Sequence, residues 1–151
     1  MNPEWLSQQI VERAPDAIIA ADRDGIIRLW NAGAEAVFGY PAAEAIGQSL
    51  DLIIPERLRA RHWDGFGTVM ETGVTRYGAE LLRVPAVRSD GTQISVEFSV
   101  VLLHGPAGEV AGVAAIMRDV TEQWLQQREM RKRLAGLEAQ VEAQVAAART
   151  G

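Results

Sequence analysis

Two histidines, His62 and His104, are the side chains here whose ordinary pKa lies near neutrality, and one of them is placed to do chemistry. His62 falls within PERLRARHWDGFGTVMETG, Pro55 to Gly73, which reads as a helix from about Glu56 to Thr72 stopped by Gly73. At helical steps of three or four, Leu58, His62, Phe66, Val69 and Met70 share one face, so the imidazole points inward among apolar neighbours. These residues alone leave two readings open. A core histidine would satisfy a ring nitrogen on a backbone carbonyl. A ligand histidine would lend the lone pair of its neutral ring to a metal. His104, in LLHGPAGE, reads as a hairpin-loop residue with no role.

Other chemistries are excluded by composition. The chain contains no cysteine, which removes disulfides, thiolate metal sites, thiol nucleophiles and photochemistry through a cysteinyl adduct. No nucleophile, paired-carboxylate or phosphate-loop constellation is present, so enzymatic activity is not expected. Asp22, Asp24, Asp64 and Asp90 fall at turns or exposed positions. The formal net charge of -5 argues against nucleic acid and anionic membrane as partners. Arg128, Arg131, Lys132 and Arg133 do cluster, but from Asp119 onward five basic residues balance five acidic ones, as on a solvated helix face. No basic segment leads into an apolar run, and no apolar stretch approaches the roughly 20 residues of a membrane span, so a cytoplasmic location is expected.

The elements that must position His62 follow from periodicity. PEWLSQQIVER, residues 3 to 13, starts with a proline suited to a first helical turn and carries Leu6 and Ile10 at helical spacing. Two short apolar runs, Ala17 to Ala21 and Ile26 to Trp30, flank DRDG and read as a hairpin. Short helical pieces punctuated by Gly39, Pro41 and Gly47 precede the His62 helix. Three β-branched runs separated by RSDG and HGPAGE then read as an antiparallel meander, giving five strands in all. From Val120 the chain turns helical, with Met130, Leu134, Leu137 and Val141 spaced as one coiled-coil seam; beyond Val145 alanines take over and the helix is expected to fade.

This order is α+β, and particular residues narrow it. APDAIIAADRDGIIRLWNAGAEAVFGYPAAEAIGQSLDLIIPE resembles the amino-terminal half of a PAS domain, with its Pro-Asp lead into the first strand, aromatic-Asn ending the second and FGY closing the first small helix. RSDGTQISVEFSV resembles the sensory-box strand pair, and MRDVTE the junction that closes the last strand and starts a signalling helix. The resemblance covers about residues 14 to 122. It implies a PAS fold: a five-stranded antiparallel sheet with helices on one face, preceded by a helix over 1–13, with the sensor domain at 14–119 and a C-terminal coiled-coil helix over 120–151.

A PAS scaffold carries many ligands, and the resemblance sharpens at the helix quoted first. Flavin photosensors of the fold need a cysteine before this helix, where SLDLIIPE stands instead. Counted from Pro55, His62 falls at the iron-ligand position of the FixL-type and direct-oxygen-sensor-type haem PAS domains, and H-x-D-G-F is similar to that group's H-D-G-Y, with Trp63 as the departure. The resemblance therefore implies haem b ligated by His62 and a diatomic gas (O2, CO or NO) as the signal. It matches Tyr77, Phe98 and Val100 to the distal face and Leu82 to the distal arginine. Arg83 lies one residue on, which flips a strand side chain to the other face unless a bulge intervenes. Phe66 lies beside His62 on the helix, and Arg76 is the candidate for a haem propionate. The exit helix implies a parallel homodimer that passes the signal to a partner or output domain, with Trp5, Leu6 and Ile10 adding to the interface. The alternative is a haem-free PAS interaction module that binds another small ligand or none.

Overall fold

The first turn of the sheet is built by a single aspartate. Asp22 ends strand β1 (Ala17–Asp22), and its Oδ1 accepts from the backbone N–H groups of Asp24 at 2.9 Å and Ile26 at 3.1 Å. Its Oδ2 accepts from Arg28 Nε at 2.8 Å on strand β2 (Ile27–Trp30), and this bond above all holds the Asp22 carboxyl below the usual carboxylate range. The structure, a computed structural model, describes residues 1–75 and 81–150. Helix α1 (Pro3–Arg13) precedes the hairpin, capped by Asn2, whose side chain accepts from the Glu4 N–H at 2.8 Å. After the hairpin come the short helices α2 (Ala32–Phe38) and α3 (Ala42–Ala45), a 3-10 turn over Leu50–Ile53 and a second over Glu56–Leu58. Helix α4 (Arg59–Thr72) carries His62 and ends where Gly73 takes a left-handed φ of 68°. The helix expected from Glu56 thus begins with a tighter turn, because Leu58 supplies no side-chain cap for it.

Strands β3 (Leu82–Val87), β4 (Gln93–His104) and β5 (Val110–Asp119) complete one antiparallel sheet in the order β2-β1-β5-β4-β3. Helix α5 (Thr121–Thr150) follows. Residues 1–119 form one compact unit and 120–151 another. Residues facing each other across the ladders share a face, so the pairings Ile19 to Ala115, Val100 to Ala115 and Phe98 to Met117 define an inner surface. That surface, with Ala17, Ile27, Trp30, Ala86, Ile94 and Val96, packs on Ala34, Phe38, Ala45 and Ile53 from the helical segments, and Phe98 and Met117 lie against this cluster. Trp30 sits 5.6 Å from the Phe38 ring and donates its Nε1–H to the Tyr40 carbonyl at 2.9 Å.

Asn31 is the buried polar side chain among the described residues. Its Oδ1 accepts from the N–H groups of Ile18 at 2.8 Å and Ala34 at 2.9 Å, capping α2 and anchoring β1 with one atom. Its Nδ2 donates to the carbonyls of Val11 at 2.8 Å and Asp16 at 3.0 Å, with Ala14 further off at 3.4 Å. The end of α1, the start of β1 and the start of α2 are therefore tied at one point.

Helix α5 stays regular to Thr150, where the sequence pattern predicts fading after Val145. Alanine forms helix better than any other residue, so loss of the apolar stripe is not loss of the helix. Its thirty residues span about 45 Å. Leu125, Met130, Leu134, Leu137, Val141 and Val145 stand exposed along it. No helix is long and apolar enough to cross a membrane among the described residues.

Candidate functional site

His62 is half-buried on α4, and its Nδ1 is fully enclosed with no hydrogen-bond partner. Burial holds the imidazole below its ordinary pKa against the opposing pull of the Asp51 carboxylate, so the neutral ring predominates at pH 7. Two rings cluster with it: Trp63 meets it edge-on, centroids 4.7 Å apart at 81°, and Phe66 lies 5.9 Å away at 33°. A buried ring nitrogen without a partner forfeits on the order of 1 to 3 kcal/mol relative to a bonded one. The carbonyl expected of a purely structural core histidine is absent at Nδ1. Among the described residues no three histidine, aspartate or glutamate side chains come together as a metal site, so His62 would act as a single ligand. A neutral, desolvated imidazole with aromatic neighbours fits haem, in which the porphyrin nitrogens would supply the iron's other resident ligands.

Of the other expected site residues, Leu82, Phe98 and Val100 come together on the sheet. Leu82 faces Phe98 across the β3–β4 ladder and Val100 follows two positions on, all on the inner surface. The β3–β4 pairing runs without a bulge from Leu82 to Val87, so Arg83 falls on the opposite face. There it faces Glu97, with Arg83 Nη2 at 4.0 Å from Glu97 Oε1. Arg76 and Tyr77 lie outside the described residues. His104 is exposed, its Nδ1 3.3 Å from the Gly108 carbonyl oxygen in the β4–β5 loop.

Sequence reasoning missed the residues that hold α4 in place. Trp63 donates its Nε1–H to Asp51 Oδ1 at 2.7 Å, and Arg59 donates to the carbonyls of Ile54 at 3.1 Å and Asp51 at 3.3 Å. Further along, Met70 is buried where α4 packs on β5. The available signal was Trp63 itself, the residue by which this helix departs from the haem-domain pattern.

An antiparallel five-stranded sheet with its last strand in the middle, with short helices and one longer helix packed on it, defines an α+β module. The sequence profile described as PAS fold matches residues 11–124, and the chain belongs to the PAS family. Over 116 residues it is 33% identical to the sensor protein FixL of Bradyrhizobium diazoefficiens, a match covering 76% of this chain and 22% of that protein. It is also 29% identical to the signal transduction histidine-protein kinase AtoS of Escherichia coli, covering 83% of this chain and 19% of that one. The chain thus corresponds to a minor part of each relative's length. An RNA-binding light-oxygen-voltage receptor superposes with a TM-score of 0.70 at 20% identity, covering 88% of this chain and 37% of that structure. The module is a PAS sensor domain of the kind found in signal-transduction proteins.

Proposed function

We propose that this PAS domain binds haem b through His62 and senses a diatomic gas. The observation that carries the reading is a neutral imidazole clustered with two aromatic rings and not tied to a backbone carbonyl at its enclosed Nδ1, which leaves Nε2 to present the lone pair. The similarity to a FixL sensor over most of this chain supports it. When bound, haem supplies an iron centre that takes up O2, CO or NO. The protein's part is to present the His62 lone pair, to keep water away with Phe66, Leu82, Phe98 and Val100, and to orient the gas and a propionate with Tyr77 and Arg76 respectively. Only Val120 separates β5 from α5 along the chain, so a change in the sheet has a covalent path to the exit helix. The exposed stripe of α5 supports a homodimer, with a signalling partner or output domain reading its state.

Absorption spectra of protein produced with haem supply, recorded oxidised, reduced and with carbon monoxide, test this reading. A Soret band that shifts with carbon monoxide is expected, and His62→Ala should lose stoichiometric haem while keeping a folded domain. Retention of the wild-type spectrum by His62→Ala would remove His62 as the ligand. A second reading is a haem-free PAS interaction module. It is favoured by apolar side chains left exposed on the first unit, with Trp5 at 49%, Val101 at 49% and Ile116 at 39%. No Soret band after reconstitution would select it.

A further inference from the structure

We propose that Trp63 is a positioning residue for His62, an indole brace that sets the imidazole's orientation from the β1–β2 turn and the Leu50–Ile53 turn. The proposal rests on the reading of His62 as the ligand, and its reasoning starts from what the ring lacks. A ligating histidine is ordinarily oriented by a hydrogen bond from its second nitrogen to a carboxylate or carbonyl. Nδ1 of His62 is enclosed and makes no such bond, so packing must fix the ring instead.

Trp63 is the neighbour fitted for this. Its edge-on contact at 4.7 Å fixes one side of the imidazole, and Phe66, 5.2 Å from Trp63 at 75°, closes the aromatic group. The indole is itself held at two ends. Its Nε1–H reaches Asp51 Oδ1 at 2.7 Å, and Asp51 is steadied by Arg59, whose Nε lies 3.9 Å from the same oxygen. The six-membered ring occupies the place where a side chain on Gly25 would be: a Cβ there would stand 2.2 Å from Trp63 Cη2. Gly25, at a φ of 75°, closes the β1–β2 turn, and its carbonyl accepts from the Leu50 N–H at 3.0 Å, so both ends of the brace rest on one connected scaffold. Such anchoring matters because α4 is weak by itself. It begins without a side-chain cap and carries Gly65 and Gly67 in its interior, each unfavourable by up to about 1 kcal/mol relative to alanine.

The experiment uses the full chain at pH 8, where His62 is neutral in every variant, and compares Asp51→Ala, Asp51→Asn and Trp63→Phe. In the apoprotein, NMR reads the cross-relaxation between the His62 ring protons and the Trp63 indole, together with the His62 ring resonances. Haem titration reads affinity separately. Asp51→Ala removes the acceptor and should weaken the His62–Trp63 cross-peaks, broaden the His62 ring signals and lower haem affinity about tenfold. Asp51→Asn keeps an oxygen for the indole N–H and should stay within about twofold of wild type. Trp63→Phe should lower haem affinity at least as far as Asp51→Ala. Unchanged His62 cross-peaks and ring signals in Asp51→Ala, or identical behaviour of the Ala and Asn variants, would overturn the brace. If the wild-type protein takes up no haem, the proposed function fails, and the apoprotein spectra still decide whether Trp63 orients His62.

Discussion

Replacing Asn31 with alanine should unfold the hub where α1, β1 and α2 meet. The variant loses the α2 cap, a change that costs about 1 kcal/mol in general. It also strands the Ile18 N–H, bonded at 2.8 Å, and removes the donors to the Val11 and Asp16 carbonyls. Each buried backbone group left without a partner forfeits about 1 to 3 kcal/mol, and carbonyls find substitutes more readily than N–H groups. The sum expected is about 3 to 5 kcal/mol, or a fall in Tm of about 12 to 20 °C for a unit of this size. Asn31→Asp separates the two halves of the effect. It keeps both acceptor bonds but sets a carboxylate against three carbonyl oxygens, so its folded-state pKa should rise. Such a group favours folding in its protonated form, and the variant should regain part of its deficit relative to wild type as pH falls toward 4. Urea unfolding followed by tryptophan fluorescence measures both. A loss below about 1 kcal/mol for Asn31→Ala would refute the assignment of net stability to these bonds.

Asp22→Ala should cost on the order of 1 kcal/mol through the β1–β2 turn. Because the folded-state pKa of Asp22 is lowered, its contribution is complete above the ordinary carboxylate range and is lost as pH falls through that lowered value, so the gap between wild type and variant in urea melts should close below about pH 4. His104→Ala should leave the haem spectrum unchanged and stability within about 0.5 kcal/mol, as thermal melts and absorption spectra would show. If α5 dimerises as proposed, Leu134→Glu with Leu137→Glu should raise the dissociation constant at least tenfold, since burying each leucine is worth about 1.5 to 3 kcal/mol; light scattering across a concentration series reads it, and a chain monomeric before substitution would overturn the proposed dimer.

The strands, their number and the helix bearing His62 were legible because each has its own periodicity or turn signal. DRDG and RSDG marked turns for the same reason that Asp22 now caps one. The helix of α5 was legible too, whereas its last turns were misjudged by equating apolar spacing with helicity. On the sheet, alternation alone distinguished Leu82 from Arg83, and the unbulged register bears out that distinction. The Trp63–Asp51–Gly25 contact was not legible: it joins residues 12 and 38 positions apart through side-chain shapes, and no local pattern encodes such a meeting. Asn31 was visible only as part of a motif, because its worth lies in carbonyls up to 20 residues upstream.

The position of β5 governs the order in which this protein can be made. Ala17 pairs with Met117 and Asp22 with Gly112, so the inner edge of the first hairpin waits for a strand about ninety residues later in synthesis. Until that strand leaves the ribosome, the backbone N–H and carbonyl groups along one side of β1 are an open template for any extended chain nearby. A nascent chain stalled before residue 110 would therefore expose two unjoined half-sheets, β1–β2 and β3–β4, and neighbouring polysomes could cross-pair them between molecules. Release of β5 closes that window in one step, and among the described strands β2 and β3 are then left as the edges.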